Sequence, residues 1–196
     1  MINIKEENIG TNEINIRSEA YLNSNITLDI YGSNNRISIE TPHKCTSLYI
    51  RLTGNNHLSI KNNCVFFGQS IQLLAPGTLS IGNSCSFNGH SVIHMHETAT
   101  IAIGNGCLFG SQVSISSSHV HKILDLTTGE RLNPPGDIEI ENHVWLSEGA
   151  NLWGGARIGH DSVVGKDVYV SKAFPSNCVI AGVPARVIRE GITWAF

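Results

Sequence analysis

The sequence predicts an all-β fold, a single parallel β-helix, from three observations. The first is a six-residue period over residues 140–174, with an aliphatic residue opening each of six consecutive hexads: Ile140, Leu146, Leu152, Ile158, Val164 and Val170. The second is a small or β-branched residue at the fifth position of five hexads: Val144, Ala150, Ala156, Ser162 and Val168. The third is a segment that recurs after 21 and 22 residues: Leu58–Cys64, Leu79–Cys85 and Ile101–Cys107. Neither an α-helix nor an alternating strand has this register.

The hexad gives each residue a place in the coil. The first residue points into the core, and the fifth lies inside a tight corner with little room for bulk. Coils stack at the strand spacing of roughly 4.8 Å, so equivalent positions form ladders. We therefore expect Cys64, Cys85 and Cys107 to stack as small buried apolar residues rather than as a metal or redox site. A β-sandwich would instead show turn clusters about every 8–12 residues.

Four segments follow from this pattern along the chain. Residues 1–36 are predicted to form irregular first coils or a cap, because an open coil end exposes both core and strand edges. Residues 37–183 form the β-helix. The register breaks after His121, and the turn formers of residues 122–137 predict a loop extruded from one corner. Residues 184–196 are predicted to be a short extension, helix or strand, that leaves the solenoid.

Composition narrows the functional classes. A chain of 196 residues with a net charge of −3 suits one elongated domain and gives no support for nucleic-acid binding. The start is polar and no apolar run is long enough to span a membrane, so we expect neither a signal peptide nor membrane insertion. The five cysteines form no CxxC pair, which favours a reducing, cytoplasmic setting over a zinc ribbon or a disulfide framework.

Three motifs resemble those of the hexapeptide-repeat acyltransferases. The stretch His121–Asn133 (HKILDLTTGERLN) is similar to their catalytic-histidine loop, Glu141–Leu146 (ENHVWL) to their "VWIG" hexad, and Cys178–Arg189 (CVIAGVPARVIR) to their closing "AGxPAKxI" signature. Within that family the likeness extends to bacterial capsule O-acetyltransferases, notably those that modify polysialic acid, through residues 51–56 and 191–194. The resemblance implies a left-handed β-helix, a homotrimer with active sites at subunit contacts, acetyl-CoA as donor and a carbohydrate acceptor.

His121 is the predicted general base. Transfer of an acetyl group from a thioester to a hydroxyl needs a base for the hydroxyl proton, and imidazole, with an unperturbed pKa near 6.5, suits that role. His121 occupies the last in-register position before the extruded loop, at a corner beside an expected cleft, and it matches the family's catalytic position. His119 falls on a fifth position and is predicted to be a packed, hydrogen-bonded imidazole.

Trp145 is the second predicted catalytic residue. It lies at the sixth position of its hexad, which points outward, so it is not predicted to be a core residue. By resemblance it flanks and orients the acceptor, and its indole N–H can act as a donor. The alternative is an aromatic residue at a trimer interface. The chain shows no Ser-His-Asp or Cys-His arrangement in a family-like context, so we expect direct transfer without an acyl-enzyme.

The coenzyme is expected to lie along coil edges late in the chain. Small side chains leave backbone amides open to its pantetheine arm, and basic side chains can meet its phosphates. The candidates for these contacts are nine residues: Gly149, Ala150, Gly165, Lys166, Lys172, Ala181, Pro184, Arg186 and Arg189. Lys172 and Arg186 match the family's basic positions best. The alternative for each basic residue is a solvated surface charge.

Two other classes remain open. Some left-handed β-helices are zinc carbonic anhydrases, and histidines are dense here between His90 and His121, but the spacing of that family's three zinc ligands is absent, so no metal is expected. A non-catalytic scaffold is the third class. For an acetyltransferase, the resemblance of the Thr-Gly-Glu-Arg-Leu-Asn element favours a capsular or lipopolysaccharide glycan, with a small galactoside, maltoside or antibiotic as the alternative acceptor.

Overall fold

A computed structural model describes residues 1–8, 10–22 and 24–195; the predicted segments 1–36 and 184–196 include residues 9, 23 and 196, which lie outside it. The first strands are β1 Ile2–Glu6, β2 Glu13–Ile16, β3 Ser24–Ile30, β4 Arg36–Ile39, β5 Lys44–Leu52, β6 Asn56–Ile60, β7 Val65–Leu73, β8 Gly77–Ile81, β9 Ser86–Phe87, β10 Val92–Met95 and β11 Thr100–Ile103. The others are β12 Leu108–Phe109, β13 Ser114–Ser116, β14 Ile138–Ile140, β15 Trp145–Leu146, β16 Asn151–Trp153, β17 Arg157–Ile158, β18 Val163–Val164, β19 Tyr169–Val170, β20 Ala173–Phe174, β21 Cys178–Ala181 and β22 Arg186–Glu190. A 3₁₀ turn occupies Ser18–Tyr21.

The strands form a parallel solenoid of about eight turns with three faces, which confirms the predicted all-β fold. Face A is the eight-stranded sheet β2-β4-β6-β8-β11-β14-β17-β20. The 14-stranded sheet bends around a corner and supplies the other two faces. Face B contains β9, β12, β15, β18 and β21, and face C contains β10, β13, β16 and β19. Each coil therefore runs from A to B to C, through corners that we call AB, BC and CA.

The core is built from ladders of equivalent residues, as the hexads predict. Phe66, Phe87 and Phe109 stack with ring centroids 5.2 and 4.2 Å apart. At corner AB, the buried thiols of Cys64 and Cys85 each lie against a backbone carbonyl oxygen of the next coil, at 3.2 and 3.1 Å. These cysteines fill the corner as small packed groups because it has no room for larger side chains.

Corner AB depends on backbone in the left-handed region. The residue before each corner position has φ between 56° and 64° in six successive coils: Asn63, Ser84, Gly106, His143, Asp161 and Asn177. Asn, Asp and Gly adopt this conformation most readily, which explains their abundance in the chain. His143 and Asp161 are therefore neighbours in one outward-facing column.

The two ends of the chain differ from the rest. Strand β1 pairs in parallel with β3, and β2 pairs in parallel with β4. The solenoid coils therefore begin within residues 1–36, the stretch for which irregular first coils or a cap were predicted. At the other end, β22 does not leave the solenoid. It folds back antiparallel onto β21 and covers the last edge of face B. Among the described residues, no helix is long and apolar enough to cross a membrane.

Candidate active site

His121 lies at corner CA, where the chain leaves β13. The corner residues Ser116, Ser117 and Ser118 are buried, and the Ser116 hydroxyl donates to the Ser118 carbonyl oxygen at 2.9 Å. Val120 has φ of 62°, and the N–H of His121 donates back to the carbonyl oxygen of His119 at 2.6 Å. This tight turn aims the chain outward, so His121 is exposed at the start of the extruded loop.

The loop of residues 122–137 is ordered by its own hydrogen bonds. Leu124 and Arg131 form an antiparallel bridge, and the Asp125 carboxylate accepts two backbone N–H bonds at 2.8 Å each. Asn133 closes the base of the loop. Its side-chain oxygen accepts from the N–H of Ile123 at 2.7 Å, and its amide donates to the carbonyl oxygen of His121 at 2.9 Å. Asn133 thus fixes the backbone of the proposed base.

An ion pair ties the loop to the solenoid. Arg131 makes a two-pronged contact with Glu97 of corner CA, with nitrogen–oxygen distances of 2.6 and 2.7 Å. Both side chains are largely covered. The hydrogen bonds from Arg131 lower the pKa of the Glu97 carboxyl to about 2. The pairing spans 34 residues of sequence and holds the segment that carries His121.

This ion pair predicts a pH-dependent loop. The pKa of Glu97 is lowered from 4.5 to about 2 by Arg131, so the stabilisation is fully present above about pH 5 and is lost as pH falls through about 2. Hydrogen–deuterium exchange, corrected for intrinsic rates, should show protection of residues 122–133 declining over that range. Glu97→Gln should lower the protection at neutral pH and make the decline smaller, with the remainder due to Asp125, whose pKa is lowered by the backbone N–H groups of Thr128 and Thr127. Glu130→Gln, which changes a loop carboxylate outside the pair, is the control, and a profile like that of Glu97→Gln would contradict the assignment.

His119 is packed and hydrogen-bonded, as predicted, but it lies on the surface and not inside the coil. It is exposed, because the turn at Val120 rotates the chain out of the hexad register. Its ring stacks on Trp153 with centroids 4.1 Å apart and an angle of 13°, and the Tyr169 hydroxyl lies 3.4 Å from its Nε2 atom. Among the described residues, no hydrogen bond joins the His121 ring to another group, so both of its ring nitrogens are available.

A cleft of about 330 Å³ opens beside this corner. Its lining comes from the end of β13, the base of the loop and the corner of the next coil: Ser117, Ser118, His119, Leu132, Asn133, Pro134, Pro135, Gly136, Gly154 and Gly155. The expected cleft beside His121 is therefore present, with His119 rather than His121 in its wall. Gly154 and Gly155 have no side chains to fill the cleft, and the N–H of Gly155 donates to the carbonyl oxygen of Asp137 at 3.0 Å.

Trp145 lies on face B, directly after corner AB. Its side chain is 36% exposed, in agreement with the outward sixth position of its hexad. Its ring centroid lies 6.0 Å from that of Trp194, at an angle of 49°. Residue His143, two positions earlier, contacts the Asp161 carboxylate through Nδ1 at 2.6 Å. Sequence reasoning missed this His–Asp pair because its two members belong to different coils.

The structure does not bring His121 and Trp145 together within one chain. His121 is at corner CA and Trp145 is beside corner AB, so the whole of face A lies between them. No contact joins their side chains anywhere in the described ranges. If both act on one acceptor, they must come from different copies of the chain.

The residues predicted to bind coenzyme are spread over two corners and the closing hairpin. Gly149, Ala150, Gly165 and Lys166 are at corner BC, where the Lys166 ammonium lies 2.9 Å from the Glu148 carboxylate, an ion pair that raises the pKa of Lys166. Lys172 is at corner CA, two coils below the corner of His121. Ala181, Pro184, Arg186 and Arg189 belong to the hairpin of β21 and β22, and both arginines are exposed.

The dense histidines form no metal centre in the described residues. The rings of His94 and His96 meet edge to face at 5.4 Å, and burial lowers the pKa of His94. No three His, Cys, Asp or Glu side chains within residues 1–8, 10–22 and 24–195 are placed to hold a metal ion.

Comparison with known proteins identifies the family. No family model matches the sequence. A polysialic acid O-acetyltransferase of Neisseria meningitidis is 35% identical over 185 residues, which cover 93% of this chain and 85% of that protein. The chain therefore belongs to the hexapeptide-repeat acetyltransferases. The resemblance seen in the motifs is confirmed.

Other relatives align over shorter stretches. The polysialic acid O-acetyltransferase of Escherichia coli O1:K1 is 30% identical over 99 residues, 50% of this chain and 32% of that protein. The galactoside O-acetyltransferase of Escherichia coli K12 is 41% identical over 93 residues, 46% of this chain and 44% of that protein. The aligned part thus spans less than half the length of these two relatives.

Two solved structures share the fold over the whole chain. The polysialic acid O-acetyltransferase OatWY superposes with a TM-score of 0.72 and 27% identity, covering 100% of this chain and 92% of that one. The polySia-specific acetyltransferase NeuO superposes with a TM-score of 0.84 and 23% identity, covering 100% of this chain and 82% of that one. Full coverage in both cases includes the irregular N-terminal turns and the closing hairpin.

Proposed function

We propose that this chain is an acetyl-CoA-dependent O-acetyltransferase that modifies a sugar hydroxyl of a capsular or other surface polysaccharide such as polysialic acid. The observation that carries the proposal is the 35% identity to the Neisseria meningitidis polysialic acid O-acetyltransferase over 93% of the chain. The five buried free cysteines agree with a cytoplasmic setting, where thiols stay reduced.

His121 is the general base in this proposal. A ring nitrogen of His121 takes the acceptor hydroxyl proton as that oxygen attacks the thioester carbonyl carbon. The tetrahedral oxyanion collapses, the carbon–sulfur bond breaks, and the imidazolium returns the proton to the leaving thiolate. Asn133 and the Arg131–Glu97 pair hold the backbone of His121, so the base is in place before the substrates arrive.

Lys172 is the favoured basic contact for the coenzyme. It shares corner CA with His121, and on the coil between them Gly154 and Gly155, which have no side chains, line the cleft. If the pantetheine arm of the coenzyme lies along this corner, its thioester is beside His121 and its phosphates are beside Lys172. Lys166 is less suited to the phosphates because Glu148 already neutralises it. Arg186 and Arg189 remain available on the exposed side of β22.

The proposed assembly is the homotrimer that the family resemblance implies, and the separation of the two catalytic candidates supports a site shared between copies of the chain. Corner CA of one subunit carries His121, and Trp145 beside corner AB of a neighbour can face it across a threefold contact. The extruded loop supplies apolar surface for such a contact, since four of its side chains are well exposed: Ile123, Leu124, Leu126 and Leu132. Burial of these side chains against a neighbour would stabilise the assembly and complete the site.

An acceptor panel tests the activity. Purified protein with acetyl-CoA should release free thiol with α-linked sialic acid polymers or oligomers and transfer label from the acetyl group to the glycan. The second candidate acceptor is a small galactoside, favoured by the 41% identity to the galactoside O-acetyltransferase over 93 residues. Turnover with galactosides alone would redirect the proposal to a small acceptor. The proposal would be contradicted if no acetyl group were transferred to any hydroxyl. Zinc in the purified protein would then favour the carbonic-anhydrase class, and its absence the non-catalytic scaffold.

A further inference from the structure

The chain does not end at the hairpin of β21 and β22. After Gly191, with φ of 70°, residues 191–195 run back over corner AB, and we call this segment the C-terminal strap. Ile192 exchanges two hydrogen bonds with Asn177, from its N–H to the Asn177 carbonyl oxygen at 3.0 Å and from the Asn177 amide to its own carbonyl oxygen at 3.1 Å. The strap thus starts on the last coil and climbs towards earlier ones.

The next contact is with Asp161, one coil further up. Its carboxylate accepts from the Thr193 hydroxyl at 2.9 Å, and it lies 2.6 Å from Nδ1 of His143 and 2.9 Å from Nδ1 of His160. These hydrogen bonds, that of His143 first, lower the pKa of Asp161 to about 2. The carboxylate is therefore ionised at neutral pH and holds three groups, one of which belongs to the strap.

The strap reaches Trp145 through Trp194. The indole N–H of Trp194 donates to the carbonyl oxygen of His143 at 2.8 Å, and its ring stacks on the His143 imidazole with centroids 4.3 Å apart and an angle of 10°. On the adjacent strand, the Trp145 ring lies 6.0 Å from Trp194 at 49°. Aromatic rings at this separation and tilt attract each other.

Protection of the solenoid end does not account for this segment. The exposed edge of β21 is already paired with β22, from Cys178 with Glu190 to Ala181 with Arg186. The strap crosses the outer surface of two further coils and ends beside one outward-facing side chain, Trp145. An exposed indole on a two-residue strand has several open rotamers, and a fixed neighbour restricts them. A side chain that is already held in its binding rotamer loses less conformational entropy when the ligand binds, so the ligand binds more tightly.

We propose that the C-terminal strap is part of the acceptor site and that Trp194 is a positioning residue, which holds the Trp145 indole in the orientation that receives the acceptor sugar. The inference rests on the proposed function, in which Trp145 contacts the acceptor. Asp161 and His143 fix the strap, so they act on the acceptor through Trp194 and Trp145 rather than by touching it.

Steady-state kinetics with both substrates varied test the proposal. Trp194→Ala should lower kcat/KM for the acceptor by about 2- to 12-fold, the factor that corresponds to an aromatic pair, and leave KM for acetyl-CoA unchanged. Trp194→Phe keeps a stacking ring and should restore most of the loss. Thr193→Val keeps the shape but removes the hydrogen bond to Asp161, so it should reproduce part of the loss. Ile188→Ala truncates an exposed residue of β22 outside the strap and is the matched control.

The outcomes separate this proposal from the proposed function. If Trp145→Ala impairs acceptor use but Trp194→Ala does not, the positioning role is overturned and the function stands. If Trp145→Ala leaves acceptor kinetics intact, the assigned acceptor contact fails and the strap proposal fails with it. A purely structural strap would lower the melting temperature and reduce kcat/KM for both substrates equally, without rescue by Trp194→Phe, and that result would also overturn the proposal.

Discussion

His121→Ala should lower kcat by roughly 10²–10⁴-fold, the usual contribution of a positioned base, while the protein still binds acetyl-CoA. The reason is local: the imidazole is the only catalytic group of the mechanism that moves a proton, and its backbone is held by Asn133. Kinetics with labelled acetyl-CoA and calorimetric measurement of donor binding check both parts. His57→Ala, an exposed histidine at face A far from the loop, should retain normal turnover. If His121→Ala kept near-normal turnover, His119 and His94 would be tested next.

The same variant tests whether neighbouring subunits share a site. Chains with His121→Ala and chains with Trp145→Ala should each be impaired alone, but their co-expression should restore activity. In mixed trimers, about a quarter of the sites combine an intact His121 from one chain with an intact Trp145 from another. No recovery in mixed trimers would place both residues in one chain's site, against the separation by face A.

Direct transfer adds a kinetic expectation. Because no residue stores the acetyl group, both substrates must be bound together before reaction. Initial-rate plots at varied acetyl-CoA and acceptor should therefore intersect. Parallel lines would indicate an acyl-enzyme, and trapping with labelled donor would then identify the acylated residue.

The solenoid was predictable because inward positions obey a period. Leu146 and Ala150 face a core and a corner whose geometry repeats in every coil, so their residue types repeat with it. The same hexad register predicted that Trp145 points outward and that His121 is the last in-register position before the loop. The N-terminal coils show no clear hexad in the sequence because strands such as β3 are long, and buried residues alternate along them.

Outward contacts follow no such period, which is why the sequence did not reveal them. The Arg131–Glu97 pair joins residues 34 apart, a distance set by the length of one irregular coil. The strap contacts residues that were already assigned to other hexads, and the ENHVWL motif that contains His143 does not indicate a contact with residues 191–195. His119 is packed and hydrogen-bonded as predicted, but it is exposed because the next residue, Val120, has a positive φ and takes the chain out of register.

Ala150→Leu should destabilise the fold by about 1–3 kcal/mol, the usual cost of overpacking a filled site. Ala150 is fully buried at corner BC, and its neighbours at the same position in the adjoining coils are Val113 and Val168. Two flanking valines show that the corner accepts a β-branched side chain but place methyl groups where a longer one would extend. Leu branches at Cγ, so its two methyl groups extend one bond further from the backbone than those of valine and would clash with this ladder.

The matched control is Ala150→Val, because valine occupies this place in both neighbouring coils. It should cost less than Ala150→Leu, although the two substitutions are similar in hydrophobicity. Thermal and urea unfolding check the difference, with a loss of melting temperature of about 2–4 °C for each kcal/mol in a chain of this size. Equal effects of Val and Leu, or no effect of Leu, would mean that Ala150 does not sit inside a closed corner. The six-residue register would then be misassigned at this coil, and with it the outward position of Trp145.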